Sequence, residues 1–165
     1  MSPSLRRGVR LAAMLLCAAI LQGLYADSLQ VHGARPDLLL LTAILGSLFC
    51  DINGSAALGF FAGLLHAALA APPNGGFGSL IVSRTLVCLG VGWLEERVFR
   101  DNPLIALFLA ALGTALAEGL FFLFAPQHHV LRWTHNVGLT TLYNAVLALP
   151  LYFLVRRFLH PNAER

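Results

Sequence analysis

Five polar side chains lie inside long apolar runs and are the first residues to ask about. They are His66, Arg84 and Glu118, with Gln22 and Asn144 as uncharged companions. An ionisable group at membrane depth is costly, so it faces a bundle interior or a wet cavity and pairs there. Arg84 and Glu118 are expected to form an ion pair across one helical hairpin, as a structural clasp, a ligand site or a partner contact. Catalytic patterns are missing. No Ser, His and Asp combination forms a nucleophile elbow, and Asn74-Gly75-Gly76-Phe77-Gly78 lacks the lysine of a phosphate loop and reads as a turn. His128, His129 and His135 share a short polar segment, where adjacent histidines are poorly placed for one metal ion. Cys17, Cys50 and Cys88 each sit in apolar sequence with no CxxC spacing and read as small buried hydrophobes. The expectation is a protein that is no enzyme and holds no metal or cofactor.

The elements that must position these residues follow from composition. Of 165 residues, 58% are hydrophobic and only 12% charged, against about a quarter charged in a soluble domain. Too little polar surface exists to wrap a globular core in water, and the bilayer is the solvent that tolerates the excess. The predicted fold is an all-α integral membrane bundle forming one transmembrane domain. Six spans are expected, over residues 9–26, 38–50, 55–71, 77–94, 103–125 and 137–155. The second covers roughly 20 Å at 1.5 Å per residue, short of the roughly 30 Å hydrocarbon core, so it is either a short span or a re-entrant element.

Charge supports an even number of crossings. All eleven cationic residues are arginines, and the formal net charge is +3. The balance is too small and scattered for nucleic acid and reads as topology. Six spans gather Arg6, Arg7, Arg10, Arg97, Arg100, Arg156, Arg157 and Arg165 on one side, leaving Arg35 and Arg132 opposite and Arg84 within a span. That asymmetry places both termini in the cytoplasm. The arginines before the first apolar run resemble a signal peptide, but Leu24-Tyr25-Ala26 makes a poor cleavage site, and an uncleaved span is expected. On this topology His66, Arg84, Glu118 and Asn144 lie about 7–11 Å below the outer surface, with Gln22 slightly shallower. One polar layer is predicted in the outer half of the bundle.

The third span carries small residues every four positions: Ser55, Gly59, Gly63, Ala67 and Ala71. Such a stripe, with GxxxG at its centre, lets helix backbones approach closely. Internal helix packing is the expected use, and a docking face for another membrane protein the alternative.

Four segments in order resemble the MreD family of bacterial rod-shape-determining membrane proteins. Arg35-Pro36-Asp37-Leu38-Leu39-Leu40 resembles the family's opening to its second span, and Gly59-Phe60-Phe61-Ala62-Gly63-Leu64-Leu65 its glycine-rich third span. Val91-Gly92-Trp93-Leu94 with the segment running to Asp101-Asn102-Pro103 resembles its cytoplasmic loop, and Leu142-Tyr143-Asn144-Ala145 with Arg156-Arg157 its last span. One departure stands at His66-Ala67-Ala68, where the family often has an aspartate. The resemblance implies a non-enzymatic scaffold of the peptidoglycan-building elongation machinery in the bacterial inner membrane. Its implied partners are an MreC-like protein, MreB, RodA and a class-B penicillin-binding protein. It also implies a helical arrangement similar to the substrate-binding subunits of energy-coupling-factor transporters. A vitamin-like small-molecule binding subunit of a transporter is therefore the alternative function.

Overall fold

The computed structural model describes residues 3–25, 28, 30, 34–70, 76–95, 102–126 and 129–159. Every regular element among them is an α-helix: α1 (Pro3–Tyr25), α2 (Leu38–Ser47), α3 (Ile52–Ala70), α4 (Gly76–Glu95), α5 (Pro103–Phe124) and α6 (Val130–Leu159). Five of the six are long and apolar enough to cross a membrane. The exception is α2, whose 10 residues extend about 15 Å.

The molecule is apolar on its outside. Leu16 and Ile20 on α1, Phe61 on α3, Leu86 on α4, Phe108 and Leu116 on α5, and Leu142, Val146 and Phe153 on α6 are all exposed. In water such a continuous apolar surface would drive aggregation. In lipid it is the solvated face, and the chain is a multi-pass membrane protein.

Helix α2 occupies the middle. Leu39, Leu40, Leu41, Ala43, Ile44 and Leu45 are each 0% exposed, and the helix packs against all five others. Being apolar on every side, it suits a position with no solvent-facing surface. Its ends define the two ends of the bundle. At the proximal end, Arg7 Nη1 donates to the Phe49 carbonyl at 3.3 Å. Arg10 Nη1 there reaches the Phe158 and Leu159 carbonyls at 3.3 and 3.4 Å. These arginines satisfy carbonyls that a helix leaves open at its C-terminus. Ser55 Oγ, on α3, does the same for the Ser47 carbonyl at 3.3 Å.

The stripe on α3 is an internal packing surface. A Cβ at Gly59 would lie 2.6 Å from the Arg84 carbonyl and 2.8 Å from Thr85 Cα, and one at Gly63 would lie 2.6 Å from Ile81 Cα. The α3 and α4 backbones are therefore in direct contact, with Ser55 and Ala67 buried on the same stripe. That face is covered by α4. Ala71 lies outside the described residues.

Several helix boundaries differ from expectation. Helix α1 begins at Pro3, so Arg6, Arg7 and Arg10 are helical. Helix α6 begins at Val130, about two turns before residue 137. Trp133 in this added segment stacks on Phe122 of α5, with ring centroids 4.5 Å apart. That contact gives a polar stretch an apolar surface to fold against. His129 precedes the helix and His135 lies on it, both exposed, while His128 lies outside the described residues. Helix α3 likewise starts at Ile52, inside the stretch expected as a connection. Cys17 is exposed and Cys50 and Cys88 are buried. The exposure of Cys17 corrects the expectation of three buried cysteines: it lies on a face of α1 that no other helix covers.

Candidate functional site

The backbone of α2 creates the need that the polar residues meet. Its N-terminal N–H groups lie deep in the bundle, where each unsatisfied one would cost several kcal/mol. Asp37 is the N-cap, and its Oδ1 accepts from Leu40 N at 2.9 Å. Gln22 on α1 supplies Oε1 to Leu39 N at 2.9 Å. Asn144 on α6 accepts from the backbone N–H of Asp37 through Oδ1 at 3.1 Å. Its Nδ2 in turn donates to Thr114 Oγ1 on α5 at 3.1 Å. Two helices, α1 and α6, thus reach the start of α2 by side chains alone, and α5 supports the second of them through Thr114.

The second oxygen of Asp37 carries the charge network. Arg84 Nη2 donates to Asp37 Oδ2 at 3.0 Å and to Glu118 Oε1 at 3.2 Å. Arg84 is 1% exposed on its side chain, Asp37 7% and Glu118 20%. Nη1 of Arg84 donates to Ser83 Oγ at 3.1 Å, and Ser83 Oγ donates to the Leu80 carbonyl at 3.2 Å. His66 Nδ1 stands 3.1 Å from Asp37 Oδ2, a close approach that lacks the alignment of a hydrogen bond. The α3–α4 contact is what allows this meeting. Gly59 abuts the Arg84 carbonyl, and with the two backbones in contact His66 and Arg84 converge on one carboxylate.

All five polar residues singled out in the sequence therefore belong to one cluster. The expected Arg84–Glu118 pair is present, but it is one arm of a larger arrangement whose hub is Asp37. Asp37 reads in the sequence as a boundary before the second span. Its signal was the shortness of that span, since a helix too short to reach the surface has a buried N-terminus that something must cap. Thr114 carried a weaker signal. It stands one turn before Glu118, hence on the same helix face. Among the other motif residues, Asn102 caps α5, accepting from Leu104 N at 2.9 Å, with Pro103 in the first turn. Arg35 is exposed, and its carbonyl accepts from Thr140 Oγ1 on α6 at 3.2 Å. Pro36 is buried and Tyr143 is half-buried beside Asn144.

Above the cluster lies a cavity of about 500 Å³, lined by Gln22, Arg35, Asp37, His66, Glu118, Trp133, Asn136 and Thr140 among others. Its floor is the polar network and its wall the extended start of α6. Chemically the arrangement holds charges still. Arg84 is occupied by two carboxylates, and Ser83 Oγ by Arg84 Nη1 and the Leu80 carbonyl. Among the described residues no group of three His, Cys, Asp or Glu could hold a metal ion. Set against protein-family models, curated proteins and solved structures, the chain finds no match.

Proposed function

We propose that the chain is a non-enzymatic scaffold subunit of the bacterial cell-elongation machinery, a six-span bundle of the inner membrane with both termini cytoplasmic. The observation that carries this reading is the role of the residues behind the family resemblance. Asp37 caps α2, Asn144 binds the Asp37 backbone, Asn102 caps α5, and Gly59 and Gly63 seat α3 on α4. Each has a structural task in building a rigid bundle, and none stands ready for a reaction. A bundle clasped internally leaves the apolar faces of its five long helices for neighbours in the membrane. The proximal end, carrying Arg6, Arg7, Arg10, Arg156 and Arg157, is the cytoplasmic end on this reading.

The test is depletion in the native rod-shaped cell, together with a pull-down from its membranes. Rods should round up within a few generations, and an MreC-like protein should copurify. Unchanged shape and no such partner would remove the proposal. The distal cavity favours one second reading, a small-molecule binding subunit of a transporter. Tight copurification of a vitamin-like molecule would favour that reading over the scaffold.

A further inference from the structure

The distal cavity has properties that a clasp for α2 does not require. Two carboxylates, Asp37 and Glu118, share one guanidinium nitrogen. One guanidinium thus faces two carboxylates in this buried cluster. Asp37 is enclosed and employs both carboxylate oxygens on Leu40, Arg84 and His66. Glu118 differs. Its Oε1 meets Arg84, its Oε2 makes no hydrogen bond among the described residues, and its side chain is exposed to the cavity that it lines. Among the described residues Gln22, on the same wall, uses only its carbonyl oxygen, on Leu39 N. Trp133 adds an aromatic ring to the lining, and aromatic faces attract cations.

We propose that this cavity binds a small molecule through a primary ammonium group, charge-paired with Glu118 beside Trp133. About 500 Å³ is within the range of small-molecule sites. The ammonium belongs either to a free amine or to the headgroup of an ethanolamine phospholipid. This inference stands apart from the scaffold reading, because a scaffold subunit can also carry a ligand.

The chain has two tryptophans, so Trp93→Phe leaves Trp133 as the one fluorophore near the cavity. In that background, purified protein in detergent is titrated at fixed pH and ionic strength with phosphoethanolamine, ethanolamine and, as control, sodium acetate. Both amines should change Trp133 emission saturably, while acetate does nothing. Glu118→Gln keeps an oxygen for Arg84 and should weaken binding by about tenfold or more, as loss of a charged hydrogen bond does. Ala70→Phe fills the cavity from its α3 wall while keeping every member of the polar network, and it should block binding in a chain that folds. Nanodiscs with ethanolamine headgroups, compared with glycerol headgroups, should show the same emission change before any titration if the lipid is the source. If they do not, the free amine is the source. The proposal is overturned if neither amine nor the lipid gives a saturable change, or if both variants respond as the parent does.

Discussion

Arg84→Met is expected to be the most damaging single substitution in the protein, lowering stability by about 3–5 kcal/mol, the loss seen when one partner of a buried ion pair is removed. Methionine replaces much of the side chain's bulk, so the effect is electrostatic more than a cavity. Asp37 and Glu118 both accept from the same Nη2 and would face each other with no cation between them. A membrane protein of ordinary stability, about 5–15 kcal/mol, would lose a large share of its margin. The check is the amount of folded protein extracted from membranes, followed by thermal unfolding in detergent. Glu118→Gln alone should cost much less, since Glu118 is the more exposed partner and its amide can still accept from Arg84.

Gly63→Leu should approach that effect by a wholly different route. The new Cβ alone would sit 2.6 Å from Ile81 Cα and 2.9 Å from the Leu80 carbonyl. Those are backbone atoms, with no rotamer to move aside, so α3 and α4 must separate. Overpacking costs about 1–3 kcal/mol where side chains can yield, and more is expected here because they cannot. Separation also pulls His66 and Arg84 away from Asp37, so the polar cluster fails with the packing. Substituting Gly78 or Gly90 on α4 by alanine is the control. A methyl group at either position would meet no neighbouring helix within 4 Å, and extraction yield should be unchanged.

The two effects show which parts of the structure could be read from the chain. Apolar runs gave the long helices because length and hydrophobicity decide a membrane span with little help from context. The GxxxG pattern gave close packing, since small residues at that spacing have one physical use in lipid. Depth arithmetic along separate helices grouped His66, Arg84, Glu118 and Asn144. What sequence spacing does not encode is which helix stands at the centre. That required knowing that α2 is enclosed on all sides, and only then does Asp37 change from a boundary residue to a hub. The start of α6 was hidden for a related reason. Its first turns are polar, and the stack of Trp133 on Phe122 that supports them is a contact between distant residues.

The central claim is that Asp37 couples the buried start of α2 to the charge of Arg84, and a double-mutant cycle measures it directly. Asp37→Asn keeps a side-chain oxygen to cap Leu40 N while removing the charge, and Arg84→Met removes its partner. Thermal unfolding of the parent, both single variants and the double variant in one detergent gives the interaction energy. A coupling of about 2 kcal/mol or more, with the double variant more stable than Arg84→Met alone, is the expected result for residues in one buried network. Losses that simply add, to within about 0.5 kcal/mol, would contradict it.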